Sequence, residues 1–102
     1  MTAETYDLPP DLAARIDAQI DALFPEALEV LRQMVRVNSV NPLFPGIARA
    51  DVIGGEAASG RIYADYVTRF GFGLETLAPD PERPNYVLIR KGRGGGRSLI
   101  VN

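Results

Sequence analysis

The chain has 102 residues, enough for one domain, and its 11 basic and 13 acidic side chains give a net charge of −2. This balance argues against the basic surface typical of nucleic-acid-binding and membrane-surface proteins. The sequence contains neither cysteine nor histidine, which excludes disulfides, thiolate metal sites and a cysteine nucleophile. The absence of histidine also removes the commonest general base near neutral pH and the commonest zinc ligand.

The first predicted element is a helix that begins at Pro10 or Asp11. Its apolar residues recur at spacings of four, four and three, at Leu12, Ile16, Ile20 and Leu23. Proline is unfavourable inside a helix but suits a first helical position, so Pro25 predicts the start of a second helix. The apolar spacing of this second helix ends near Val37.

A loop over residues 38–55 is predicted next, because NSVNPLFPGIARADVIGG contains two prolines, two asparagines and three glycines. Loops of this length are often functional. A third helix is predicted to begin around Gly54 to Glu56, with the carboxylate of Glu56 in its first turn. Its apolar and aromatic residues follow at spacings of four, and Gly71 is placed to end it in a left-handed conformation.

Three strands are predicted in the remainder of the chain, over residues 73–77, 85–90 and 98–102. The glycine-rich stretch 91–96 is predicted to form a hairpin turn between the last two. Consecutive apolar residues from Leu99 to Val101 are typical of a strand that is covered on both faces. Three helices followed by about three strands of a mixed sheet predict an α/β fold.

Several groups of residues could carry chemistry, and each has a simpler interpretation. The glycines at 92, 94, 95 and 96 are not followed by the Lys-Ser/Thr pair or the helix of a phosphate-binding loop, so a turn is favoured. Four acidic residues in or beside loops lack calcium-loop spacing and are interpreted as surface carboxylates: Asp51, Glu56, Asp80 and Glu82.

The remaining candidates are serines, tyrosines and arginines. Without histidine, a serine triad is excluded within this chain for Ser39, Ser59 and Ser98. Tyr63 and Tyr66 are interpreted as rings at a core edge. Four arginines form a predicted basic cluster near the hairpin, with a solvated turn favoured over an anion contact: Arg83, Arg90, Arg93 and Arg97. Residue chemistry alone therefore predicts no catalytic apparatus.

Five segments occur in an order and spacing that resemble a known family. They are LEVLRQMVRVNSVNP at 28–42, GGE at 54–56, YADYVTRFGF at 63–72, ERPNYVLIRKG at 82–92 and GRSLIVN at 96–102. Together they resemble the beginning of the metal-dependent amidohydrolases that include acetylornithine deacetylase, succinyl-diaminopimelate desuccinylase, aminoacylase and related carboxypeptidases. The resemblance covers residues 24–102 as an incomplete catalytic domain and leaves residues 1–23 as an N-terminal extension with the first helix.

The resemblance implies the N-terminal part of a zinc-exopeptidase-like catalytic domain. In full-length relatives two zinc ions, or cobalt, activate a water that attacks the amide bond of an N-acyl amino acid or peptide. Their first metal ligand is a histidine two residues past the position of Asn102, and their other ligands lie further on. We therefore expect a hydrolase fragment that binds no metal and is inactive alone, and we assign no catalytic, cofactor-binding or metal-binding residue.

An alternative interpretation is a complete small non-catalytic interaction module that binds a partner through an exposed sheet edge. An isolated fragment would expose the same edge, through which copies could associate. In both cases the acidic, polar N-terminal stretch and the lack of a long apolar run favour a cytoplasmic protein. Neither interpretation predicts a nucleic-acid or membrane partner.

Overall fold

Two long helices and one antiparallel pair of strands make up the fold, and the computed structural model describes residues 7–102. The elements are α1 (Pro10–Arg36), α2 (Arg49–Val52), α3 (Gly55–Thr68), β1 (Gly73–Leu77) and β2 (Asn85–Ile89). Helix α3 lies in the middle, because it packs against α1 on one side and against the two strands on the other. The mixed helix and strand class is confirmed, but the predicted set of three helices and three strands is not matched.

Helix α1 is one continuous helix of 27 residues, so the predicted break at Pro25 is wrong. Proline lacks the N–H that would donate to the carbonyl four residues earlier, at Asp21, and its ring crowds that carbonyl. Both Pro25 and Asp21 are exposed, so water can bond to the carbonyl that proline leaves unpaired. The helix continues past Pro25, and residues of its C-terminal part such as Val30 lie against α3.

Helix α3 agrees closely with the sequence prediction. Gly54 precedes it in the left-handed region, with φ of 92°, a conformation that glycine adopts without the clash of a Cβ atom. Gly71 follows it with φ of 82°, as predicted for a glycine that ends a helix. The loop before α3 contains one turn of helix, α2, which the sequence analysis did not predict.

The sheet is a hairpin of β1 and β2, joined by residues 78–84. Its antiparallel register places Gly73 opposite Ile89 and Leu77 opposite Asn85. The half-buried side of the hairpin faces α3, where Leu74 and its cross-strand neighbour Leu88 lie. The hairpin therefore joins the first two predicted strands, whereas the sequence analysis predicted a hairpin between the last two.

The predicted third strand over 98–102 is wrong for the described residues. Leu99, Ile100 and Val101 are 86%, 88% and 86% exposed, and the only ladder in residues 7–102 joins β1 to β2. A strand requires a neighbour to satisfy its backbone N–H and C=O groups, and no such neighbour lies beside this segment in the described chain. The apolar run is present, but nothing in residues 7–102 covers it.

The buried core of the described residues is small. Ala64 on α3 is fully buried, and Ser59 on the same helix and Pro42 in the preceding loop are also buried. The core thus lies along one face of α3. Among residues 7–102, no helix has the length and apolar content needed to cross a bilayer.

Candidate functional site

Among the described residues, a polar group around Arg83 joins three distant parts of the chain. The guanidinium donates to both oxygens of Glu56, from Nε to Oε1 at 2.7 Å and from Nη2 to Oε2 at 3.1 Å. Nη2 also donates to Oδ1 of Asn41 at 3.2 Å. We call these three residues the Arg83 cluster. Its central pair is partly shielded from solvent, with the Arg83 side chain 24% and the Glu56 side chain 32% exposed.

Local sequence explains how these side chains reach one another. Glu56 stands in the first turn of α3, just after Gly54 and Gly55. A Cβ atom on Gly55 would collide with the carbonyl oxygen of Asn38, so glycine lets the start of α3 lie directly against the loop. Asn41 accepts the N–H of Leu43 at 2.9 Å through the same Oδ1 that accepts from Arg83, which fixes the loop in a side-chain turn.

A second group of ion pairs lies beside the Arg83 cluster, because it includes Glu82, the residue before Arg83. Arg49 of α2 donates to Oδ2 of Asp80 at 3.2 Å and to Oε2 of Glu82 at 2.8 Å. Asp80 also accepts the backbone N–H of Glu82 at 3.0 Å. We call Arg49, Asp80 and Glu82 the Arg49 cluster. It ties the one-turn helix in the loop to the connection between the strands.

Tyr86 on β2 fixes the sheet against α3 next to these clusters. Its hydroxyl donates to the carbonyl oxygen of Ala57 at 3.1 Å. Its ring lies so close to Gly60 that a Cβ atom there would stand 2.6 Å from a ring carbon. The guanidinium of Arg61 lies 5.6 Å from the centre of the ring, within the range of a cation–π contact.

The arginines keep the neighbouring carboxyl groups ionised. Hydrogen bonds from Arg83 lower the pKa of Glu56 below its ordinary value. The backbone N–H of Glu82, followed by Arg49, lowers the pKa of Asp80. Hydrogen bonds to these carboxylates raise the pKa of Arg83 and of Arg49. Glu56, Asp80, Arg49 and Arg83 are thus each stabilised in their charged form.

This arrangement is suited to holding segments together rather than to proton transfer. A general base works best with a pKa near the working pH, whereas the pKa of Glu56 is lowered and both its oxygens accept from Arg83. No group of three or more possible ligands lies together in residues 7–102. The residues present therefore do not fit the dizinc centre that the resemblance implies for full-length relatives, and we derive no reaction step through zinc.

Asp51 and Glu82 are exposed, as predicted for surface carboxylates. Asp80 and Glu82 also accept hydrogen bonds from Arg49, and Glu56 is partly shielded and accepts from Arg83. Two arginines of the predicted basic cluster near the hairpin have different partners. Arg83 binds Glu56, whereas Arg90 donates to the carbonyl oxygen of Phe70 at 2.9 Å.

The serine and tyrosine candidates are dispersed. Ser59 is buried within α3, while Ser39 and Ser98 are exposed. The ring of Tyr66 packs edge-on against Phe70 with centroids 5.3 Å apart, which confirms its place at a core edge. Loss of solvent around its hydroxyl raises the pKa of Tyr66.

Asn41 and Arg49 were not singled out from the sequence as site residues. Both lie in the segment 38–55, and their hydrogen-bond partners lie 31 to 42 residues later in the chain. One available signal was the resemblance itself, because Asn41, Glu56 and Arg83 belong to three of its five segments. Comparison of the chain with protein families, curated proteins and solved structures finds no match.

Proposed function

We propose that this chain is the first segment of a metal-dependent hydrolase that cleaves the amide bond of an N-acyl amino acid or peptide. Its own role is to build and hold the framework onto which the metal-binding segments fold. The observation that carries the proposal is the Arg83 cluster. Asn41 of SVNP, Glu56 of GGE and Arg83 of ERPN come from segments far apart in sequence, and they hydrogen-bond to one another.

This convergence supports the proposal because residues of three segments that are separate in the sequence form one hydrogen-bonded group. Short motifs that occur together by chance have no reason to meet in space. A bidentate pair of arginine and carboxylate is one of the more geometrically specific polar contacts in proteins. The three motif residues thus behave as one positioning unit, which is expected of segments that carry a shared framework.

The exposed apolar run supports the second part of the proposal. Leu99, Ile100 and Val101 have the pattern of a strand that needs cover on both faces, yet they are almost fully exposed. Sheet strands of α/β enzymes commonly carry site residues at their C-terminal ends. In the proposed enzyme this segment joins a larger sheet and leads directly to the first metal ligand.

The test is an activity measurement on the natural gene product purified from the cells that make it. We expect release of free amino acid from a panel of N-acetyl and N-succinyl amino acids. A chelator should abolish this release, and zinc or cobalt should restore it. The 102-residue polypeptide alone should bind no stoichiometric zinc in a calorimetric titration. A natural product that hydrolyses none of the panel, or tight zinc binding by the 102 residues, would overturn the proposal.

A non-catalytic module that binds a partner through its sheet edge is the second candidate. One observation favours it: within residues 7–102 the sheet has only two strands, so each strand has one edge without a strand neighbour. Such edges can accept an extended peptide as an added strand. The activity measurement separates the two candidates, because a module would hydrolyse none of the substrates.

A further inference from the structure

Helix α1 is supported by α3 along its C-terminal part, residues 26–36. There Glu26 and Val30 lie beside Ile62 and Arg69, and several residues of this part are half-buried. The ion pair between Glu26 and Arg69, at 2.7 Å, joins α1 to the residue that ends α3. We call residues 26–36 the fixed part of α1, because these contacts hold it to the body of the fold.

The N-terminal part of α1, residues 10–24, projects past the end of α3, and we call it the arm. Glu26 already lies at the level of Arg69, where α3 ends. At a rise of 1.5 Å per residue, the arm reaches about 22 Å further. Every residue from 14 to 22 is exposed. Since this stretch makes more than two helical turns, every side of the arm is open to solvent there.

Pro25 lies at the boundary between the arm and the fixed part. Proline has no N–H to donate to the carbonyl of Asp21, and its ring crowds that carbonyl. An α-helix joins each N–H to the carbonyl four residues earlier. The N–H groups of residues 26–28 therefore make the backbone bonds from the fixed part to the arm. The helix is thus weakened at the position where its support from α3 begins.

An unsupported helix of this length has little stability of its own. Isolated helices shorter than about 12–15 residues are marginal in water, because most helical stability in proteins comes from packing of an apolar face. In the arm this face is exposed, with Ile16, Ile20 and Phe24 at 40%, 57% and 61%. Segments with few buried contacts open locally at a small cost in free energy while the rest of the chain stays folded. The arm has the features of such a segment.

We propose that α1 consists of two units that open separately, with Pro25 as the boundary between them. The arm passes between its helix and an opened state while the fixed part stays in place on α3. Its helix content can therefore change without unfolding of the body. The proline signal in the sequence marks a boundary of stability within one helix. The inference does not rest on the proposed function, because it uses only the exposure, contacts and sequence of α1.

Amide hydrogen exchange followed by NMR tests this proposal on the full chain. Protection is measured for residues 14–24, whose N–H groups bond within the arm, and for residues 29–36, whose N–H groups bond to carbonyls from Pro25 onward. We expect the arm to be at least about tenfold less protected than residues 29–36. The N–H groups that pair in the β1–β2 ladder report the opening of the body in the same sample.

Ala18→Gly separates local opening from global opening. Ala18 is exposed in the middle of the arm, and glycine weakens a helix interior relative to alanine. We expect the protection of residues 14–24 to fall by up to about fivefold. The protection of residues 29–36 and of the β1–β2 ladder should not change, because the arm opens without them.

Pro25→Ala tests the position of the boundary. The substitution supplies the missing hydrogen bond to Asp21 and relieves the crowding, so the protection of residues 14–24 should rise about tenfold or more. Pro10→Ala is the matched control. Pro10 occupies the first position of α1, where the N–H has no helical partner, so this substitution should leave the protection of the arm unchanged.

Three outcomes would overturn the proposal. The first is equal protection of residues 14–24 and 29–36, whatever its level. The second is a loss of protection in Ala18→Gly that extends to residues 29–36, which would show that α1 opens as one unit. The third is unchanged protection of the arm in Pro25→Ala, which would show that the boundary does not lie at Pro25. Loss of folding is not the expected effect of Ala18→Gly, because the alanine side chain is exposed.

Discussion

At the scale of single residues, the pair of Glu56 and Arg83 joins the start of α3 to the connection between the two strands. The pKa of Glu56 is lowered in the folded chain, mainly by the hydrogen bonds from Arg83. A carboxyl group of this kind stabilises the folded state at pH values above its ordinary pKa of 4.5. That contribution is lost as the pH falls through the lower pKa of the folded state. The pair should therefore give the chain a stability that declines under acid conditions.

Glu56→Gln tests this link, because it removes the charge and keeps the size of the side chain. We expect the variant to unfold at lower urea concentration than the parent at pH 7. The difference should shrink as the pH falls below 4.5 and through the lower pKa of Glu56 in the folded chain, where the parent loses the same interaction. Glu75→Gln, at an exposed position on β1, is the matched control. A constant difference between Glu56→Gln and the parent over this pH range would contradict the assignment.

Gly55 tests the close approach that brings Glu56 to the loop. Gly55→Ala should lower the free energy of unfolding by about 1–3 kcal/mol, because its methyl group collides with the backbone of Asn38. Gly92→Ala is the matched control, as nothing lies within 4 Å of the Cβ position there. Urea titrations at pH 7 compare the two. Equal effects of the two substitutions would show that the start of α3 does not lie against the loop.

At the scale of elements, Pro25 lies inside the continuous helix α1, although the sequence pattern predicted that a second helix begins there. If a second helix began at Pro25, proline would favour it and Pro25→Ala would be neutral or destabilising. In one continuous helix, Pro25→Ala restores a backbone hydrogen bond and relieves a clash, so stability should rise by about 1–3 kcal/mol. Pro10→Ala, at the first position of α1, is the control and should bring no gain. Thermal unfolding followed by circular dichroism measures both.

The elements that were correctly predicted depend on local pattern. Helix α3 follows from regular spacing and from glycines at both ends, and β2 follows from its β-branched and aromatic residues. The errors arise where contacts with distant parts of the chain determine the local structure. Whether Pro25 ends a helix depends on packing beyond it, and whether residues 98–102 form a strand depends on a neighbouring strand. The Arg83 cluster joins residues 27 and 42 positions apart, which no local pattern specifies.

At the scale of the whole molecule, the described chain has more apolar surface than its own elements cover. Its radius of gyration is 17.8 Å, compared with about 13 Å for a compact domain of 100 residues. Among the described residues, the uncovered apolar surfaces include the face of α1, the loop residues Leu43 and Phe44, and the run from Leu99 to Val101. Under the proposed function, further sheet covers the terminal run.

Hydrogen exchange on the 102-residue chain tests whether the terminal run is unpaired. The backbone N–H groups of residues 99–101 should exchange at the rates of an unstructured peptide, while those that pair in the β1–β2 ladder should be protected. Exchange detected by NMR distinguishes the two sets within one sample. Protection of residues 99–101 comparable to that of β2 would show that the isolated chain completes this strand by itself.

The most direct test of the central claim is the intact mass and sequence of the natural gene product, isolated with an antiserum against residues 10–36. The proposed function predicts a product well above 11.1 kDa. It also predicts that the sequence continues from Leu99-Ile100-Val101-Asn102 into a segment that contains a metal-binding histidine. A natural product of 11.1 kDa would contradict the claim and favour the interaction module.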